Sequence, residues 1–351
     1  MFRNIQMLRA IAAILVFFHH AVPHYDAMNG NMWLLKTVGK WGFTGVEIFF
    51  VISGFVIAHT TLSKERSLPN AIEFIKHRLL RIYLGYWPFL AIYFFIILNV
   101  EPGRIPGLSL VDSIFLTSTD IFKLVLPVAW SLSYEIYFYG LFLLSFALSA
   151  AATKKLIVLI GVGLLARHLL LPASNNAAMS FLFSECLIEF FAGATIYICL
   201  KWLDKPWLVP ITAGIAVVCY SIGMMLHATN GPVRIYTFGT GAACIVIAAL
   251  AMERSHFYRA GSMFVQLGDA SYTIYLGHLT FLAIFYLSGV RTFLSGYGHP
   301  IIELGFLAFI ATSLIFSVMI YRYFEKPLYK FVCSVRFAQL LGFIKPERRF
   351  S

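Results

Sequence analysis

Long apolar blocks alternate with short polar intervals along the whole chain. The blocks predict about ten helices, over residues 7–23, 41–60, 80–100, 129–149, 155–171, 180–200, 207–227, 234–252, 270–290 and 301–322. Charge-free intervals such as Ile82 to Val100 and Ile136 to Thr153 match the length that crosses a hydrocarbon core about 30 Å thick. No internal repeat, low-complexity linker or appended soluble domain interrupts the pattern. The expectation is one membrane domain over residues 1–330 and a cytoplasmic tail over 331–351 that frays from Lys345 onward.

Composition turns the pattern into a fold class. Of 351 residues, 60% are hydrophobic and only 12% are charged, with a mean hydropathy of +0.81. A soluble domain carries roughly 25% charged residues, so this chain cannot cover its own surface in water. An all-α integral membrane bundle follows.

The formal charge of +11 would suggest a nucleic-acid partner if it formed one face of a soluble domain. It does not: Lys64, Arg66, Lys76, Arg78 and Arg81 share one interval, and Lys154, Lys155, Lys201, Lys205, Arg254 and Arg259 fall in others on the same side. The tail adds Lys326, Lys330, Arg336, Lys345, Arg348 and Arg349. The opposite intervals are poorer: 171–179 has no Lys or Arg, and 101–128 balances Arg104 and Lys123 against Glu101, Asp112 and Asp120. This is the positive-inside pattern. It predicts both termini in the cytoplasm and requires no nucleic acid. Arg9 opens a run without a cleavage site, so the first segment stays as a helix. The five cysteines show no metal spacing and read as buried thiols, and no metal is expected.

A few polar residues stand inside the apolar blocks, where each needs a partner, a proton or water. Arg9 and His20 lie eleven residues apart on the first helix, about 16 Å along its axis. His19 and His20 are adjacent, about 100° apart around that axis, so at least one faces the bundle. An imidazole there either takes a proton from an attacking alcohol or only hydrogen-bonds a neighbouring helix. Glu47 begins the second span, before two phenylalanines, and either orients a histidine or serves the fold. Ser131 and Glu135 share a helix face in the fourth span, where Trp130 and the nearby tyrosines read as an interface belt. Arg78 and Arg81 share a face at a helix mouth, either as anchors or as a clamp for a polyphosphate. Glu325 precedes Pro327, which is expected to stop the last helix. The segment from Gly268 to His278 resembles a capped helix start, with Asp269 or Ser271 as cap. His278 is either a packed polar residue or part of a site.

Taken together, these segments resemble the membrane acyltransferase-3 family. The pattern of a basic residue, ten intervening residues and a histidine is met by Arg9 and His20. The Gly-Val-acidic-Ile-Phe-Phe segment is met at Gly45 to Phe55, with Glu47. Arg78 to Ile82 matches Arg-x-x-Arg-Ile, although Leu84 follows Tyr83 where a proline is frequent. Trp130 to Glu135, Gly268 to His278 and Glu325 to Pro327 complete six segments in order.

The resemblance implies a bundle of about ten helices in the bacterial inner membrane. It also implies an O-acyltransferase that takes acetyl from acetyl-CoA. The acceptor would be a cell-surface or exopolysaccharide sugar or its lipid-linked precursor. His20 is then the general base or acyl relay, with Glu135 or Glu47 orienting it. Arg78 and Arg81 meet the cofactor phosphates, Arg9 assists, and His19, Ser131, His278 and Glu325 are further candidates. Read from the residues alone, a proton-coupled transporter uses the same buried groups.

Overall fold

The apolar blocks fold as helices in the computed structural model, which describes residues 2–171, 176–229 and 231–334. Helix α1 (Arg3–Asp26) is followed by α2 (Trp33–Trp41), a 3-10 turn over Gly42–Thr44, α3 (Gly45–Thr61) and α4 (Leu68–Val100). Next come α5 (Leu110–Phe115), α6 (Trp130–Leu144), α7 (Ala150–Leu170), α8 (Ala177–Leu182) and α9 (Glu185–Ile198). Then follow α10 (Leu208–Met225), α11 (Gly231–Arg234), α12 (Thr240–Arg254), α13 (Ser262–Asp269) and α14 (Ser271–Leu287). The order ends with α15 (Val290–Ser295), α16 (His299–Ile320) and α17 (Lys326–Ser334). No strand occurs among the described residues.

Among the described residues seven helical stretches are long and apolar enough to cross a membrane, and α13 with α14, bent by 65°, makes an eighth if the pair is one span. The protein is therefore an all-α, polytopic membrane protein. Two expected spans fall short of this standard. α6 has only 15 residues before a 3-10 turn at Ser145–Ala147, and every 18-residue stretch of α7 holds Lys154, Lys155 and Arg167. Large apolar side chains such as Ile92, Phe95, Leu159, Val217 and Ile315 are exposed on the bundle's outside, as lipid contact requires.

Several local expectations need correction. Pro327 does not end the last helix, because Tyr321–Glu325 winds as a π-helix and α17 continues to Ser334. The wider π turn relieves the clash a proline ring otherwise makes with the preceding turn. Neither Asp269 nor Ser271 caps α14. Its N-cap is Ala270, while Asp269 accepts a 2.5 Å hydrogen bond from Gln6 Nε2. Of the cysteines only Cys244 is fully buried; Cys186, Cys199, Cys219 and Cys333 are half-buried and free. The expected tail lies outside the described residues from 335 onward.

The segment 101–128, expected as a long loop on the side opposite the basic intervals, turns back into the bundle. Tyr86 donates its hydroxyl hydrogen to the Ser113 carbonyl at 2.6 Å, and Trp87 Nε1 donates to the Ile114 carbonyl at 3.1 Å. These partners hold α5 halfway along α4. Leu124, Val125 and Leu126 are fully buried, and Tyr275 donates to the Val128 carbonyl at 2.9 Å. Irregular backbone is tolerated at this depth because protein groups satisfy it.

Axial register is set by buried polar contacts and by glycines. Glu253 accepts from the backbone N–H of Arg3 and of Asn4, at 3.0 and 2.8 Å. These are donors that the start of α1 would otherwise leave unpaired. The Asn4 side chain donates to the carbonyls of Ala249 and Tyr258, both at 3.0 Å. The height of α1, and so of Arg9 and His20, is thereby fixed. α4 and α14 run parallel, with Gly85 packed on Tyr272 and Gly277 on Phe89. α1 runs the same way, since it meets Asp269 through Gln6 and, further along, His278 through His20.

α3 and α9 cross with their backbones in direct contact. A Cβ on Gly54 would stand 1.9 Å from the Phe190 carbonyl oxygen, and one on Gly193 would stand 1.9 Å from that of Val51. Gly193→Ala is therefore expected to destabilise the bundle by about 1–3 kcal/mol, the usual cost of overpacking. Gly163→Ala, which meets nothing within 4 Å, should leave stability unchanged or slightly higher. Thermal unfolding of the two variants in detergent checks the contrast, and equal midpoints would refute the close crossing.

Candidate active site

The N-terminal halves of α1, α4 and α14, with α3 and α6, line a cavity of about 90 Å³. Three guanidinium groups line it, those of Arg9, Arg78 and Arg81, against the single carboxylate of Glu135. Ser131 lines it as well, so all five of these sequence-predicted residues converge on one space.

Partners within the protein hold most of these groups. Arg78 Nη2 donates to Thr60 Oγ1 at 2.6 Å, and its guanidinium stacks between Phe74 and Tyr139, 5.9 and 5.7 Å from the ring centroids. Arg9 Nη1 donates to Gln6 Oε1 at 3.0 Å, and Gln6 in turn binds Asp269. Glu135 accepts from the Tyr139 hydroxyl, one turn further along α6. The Ser131 and Tyr275 hydroxyls share a 2.8 Å hydrogen bond. Among the described residues Arg81 makes no side-chain hydrogen bond or ion pair, so its donors remain for a ligand in the cavity. Glu325 stands just outside the lining, accepting from Thr273 Oγ1 at 2.5 Å. Its carboxylate still acts electrostatically on Arg81 and Arg9.

His20 does not line this cavity. It lines a second chamber of about 250 Å³ at the C-terminal ends of the same three helices, together with His24, Tyr93, Glu101 and Tyr286. Between the two spaces stand Tyr275, which lines the first, and the fully buried His278. His278 Nε2 lies 3.2 Å from His20 Nδ1. His19 points elsewhere, with its Nδ1 2.9 Å from the Gly39 carbonyl on α2.

Glu47 is brought to neither histidine. It forms a buried ion pair with Arg234, at the start of a π-helical stretch over Ile235–Gly239. Both residues line a third space of about 330 Å³ with Glu185 and Glu189. The cause is simple: a carboxylate only 1% exposed needs a cation, and Arg234 supplies it. Nothing in the sequence pairs two residues so far apart.

Other residues that shape the site were also missed. Tyr139 was read with the interface belt, yet it is only 1% exposed and holds Glu135; its spacing of four from Glu135 was the available signal. Thr60 carried no signal. Tyr275 was visible only as part of a longer segment. Among the described residues no three His, Cys, Asp or Glu side chains converge as a metal site.

Comparison with known proteins fits this geometry. The sequence profile of the Acyl_transf_3 family, described as an acyltransferase domain, matches residues 2–322. The chain is 31% identical over 301 residues to the exopolysaccharide production protein ExoZ of Rhizobium meliloti (strain 1021), covering 82% of this chain and 89% of that one. No solved structure matches. Family membership displaces the transporter alternative. The chain belongs to the Acyl_transf_3 family of membrane acyltransferases and is a multi-pass, membrane-bound enzyme of the bacterial inner membrane.

Proposed function

We propose that this enzyme transfers an acyl group from acyl-CoA, most simply acetyl-CoA, to a hydroxyl of a cell-surface or exopolysaccharide sugar or its lipid-linked precursor. One observation carries the reading: an arginine-lined cavity and a histidine-bearing chamber lie in series along three parallel helices. The relationship to an exopolysaccharide production protein supports the acceptor class. The positive-inside pattern supports ten spans with both termini in the cytoplasm, which puts the arginine cavity toward the cytoplasm, where acyl-CoA is found.

In this reading the CoA phosphates meet Arg9, Arg78 and Arg81, whose planar forks suit phosphate oxygens. The thioester end lies past Ser131 and Tyr275, toward the histidines. The acceptor hydroxyl enters the second chamber and gives its proton to His20 as its oxygen attacks the thioester carbonyl. The C–S bond then breaks, and the CoA thiolate takes up the proton. The opening of His20 onto the acceptor chamber supports base catalysis over a covalent acyl-histidine. Glu135, lining the donor cavity and held by Tyr139, balances its charge. Glu47, paired with Arg234, serves the fold.

Membranes carrying His20→Ala should transfer label from [14C]acetyl-CoA to envelope polysaccharide at least about 100-fold more slowly, the smaller end of what a general base contributes. His19→Ala should retain most of the rate. A parental rate in His20→Ala membranes, or loss confined to His19→Ala, would overturn the assignment.

Arg81→Ala should raise the KM for acetyl-CoA about tenfold or more, the worth of a charge-assisted hydrogen bond. The KM for S-acetyl-pantetheine, which lacks the phosphates, should not move. Equal shifts for both donors would remove the phosphate clamp.

A further inference from the structure

We propose that His278 is a positioning residue that fixes the tautomer of His20 and so presents His20 Nε2 as the base. The inference rests on the reading of His20 given above and adds to it a second histidine with a distinct task.

The argument follows the hydrogen atoms, assigned from what each ring nitrogen faces. His278 is fully buried, and its Nδ1 lies 2.6 Å from the carbonyl oxygen of Tyr275, three residues earlier in α14. A carbonyl only accepts, so this Nδ1 carries the hydrogen, and a neutral imidazole then holds its lone pair on Nε2. That Nε2 faces His20 Nδ1 at 3.2 Å. His20 Nδ1 also faces the Val16 carbonyl, at 3.0 Å. Both neighbours accept, so His20 Nδ1 carries its hydrogen and the His20 lone pair is left on Nε2. No described residue hydrogen-bonds that nitrogen, and the ring lines the second chamber. The Tyr275 carbonyl thus sets the tautomer of His278, and the Val16 carbonyl and the His278 lone pair together set that of His20.

Packing keeps the relay in place. The His278 ring sits 5.8 Å from Phe17 and 6.0 Å from Tyr275, and 4.9 Å from the His20 ring. A swing of His278 would break its bond to the Tyr275 carbonyl without offering another. When His20 takes the acceptor's proton at Nε2, its Nδ1–H becomes the donor of a charge-assisted bond to the His278 lone pair, which is stronger than the neutral one. His278 therefore favours the protonated state of His20 while keeping its own proton on Nδ1. It does so without contact with donor or acceptor.

The test compares initial rates of label transfer from [14C]acetyl-CoA by purified protein in lipid nanodiscs. His278→Leu removes the acceptor and should lower kcat on the order of 100-fold, the scale of a misdirected general base, with the KM for acetyl-CoA within about twofold. His278→Gln retains an oxygen near the position of Nε2 and should recover about tenfold or more of that loss. In a His20→Ala background, His278→Leu should cost nothing further, because it acts only through His20.

A parental kcat for His278→Leu overturns the proposal. So does a Gln variant no faster than Leu, when both elute as single species with the parent's unfolding midpoint. An additive loss in the His20→Ala background overturns it too. If the Leu variant does not fold, His278→Asn, whose amide is too short to reach His20, replaces it, and Gln must exceed Asn by about tenfold. A parental rate in His20→Ala protein overturns both the base and its positioning partner. A slow His20→Ala protein beside a fast His278→Leu protein removes the partner alone.

Discussion

A polar side chain among apolar helices costs several kcal/mol unless another group in the bundle meets it, and that constraint organises this protein. Glu253 and Asn4 bind the start of α1 to α12 and to the turn after it. Gln6 joins Arg9 to Asp269, Thr60 and two aromatic rings receive Arg78, Tyr139 receives Glu135, and Arg234 receives Glu47. Apart from the Tyr139–Glu135 bond within α6, these pairings tie together helices that apolar packing alone would leave free to slide. The histidines obey the same rule, since the lone pair of His278 has no outlet except the His20 N–H.

Those ties leave two spaces in line. Because α1, α4 and α14 run parallel, their N-terminal halves all contribute to the arginine cavity and their C-terminal ends to the histidine chamber. Glycines let the scaffold close around them. α1 lies against Gly42 and Gly45, where an added Cβ would stand 2.1 and 2.4 Å from the Leu15 and Ala12 carbonyl oxygens. In the proposed function a charge-rich site for a soluble thioester and an opening for a sugar hydroxyl share one thin partition, made of Tyr275, His278 and His20. The division of labour follows from chemistry. Phosphates need guanidinium groups, which the basic helix ends supply, whereas a base must sit where the attacking hydroxyl arrives.

Much of this was legible in the sequence because polar residues are rare in apolar blocks. Arg9, Arg78, Arg81, Ser131 and Glu135 could each be singled out, and the structure gathers them around one cavity. The helices themselves were legible from block length, although their ends were not. The π-helical stretch before Lys326 carried α17 past Pro327, and the block expected from residue 270 onward is preceded by α13 across a 65° bend. What apolar pattern cannot report is choice of partner. Glu47 reads as needing a cation, but that the cation is Arg234 is a property of how α3 meets the segment around α11. Likewise the return of residues 101–128 into the bundle depends on tyrosine and tryptophan side chains of α4 that satisfy its backbone. The buried Leu124, Val125 and Leu126 were the trace of it in the sequence.

The decisive question is whether donor and acceptor are handled from opposite faces with His20 between them. Inside-out vesicles of the bacterial inner membrane expose the cytoplasmic face, and acyl-CoA does not cross the bilayer. Surface-oligosaccharide fragments enclosed in such vesicles, with [14C]acetyl-CoA supplied outside, should become labelled, while the same fragments added outside should not. His20→Ala vesicles should label neither. Labelling of the outer fragments alone would show that both substrates are met on the cytoplasmic face and would contradict the arrangement of two chambers in series.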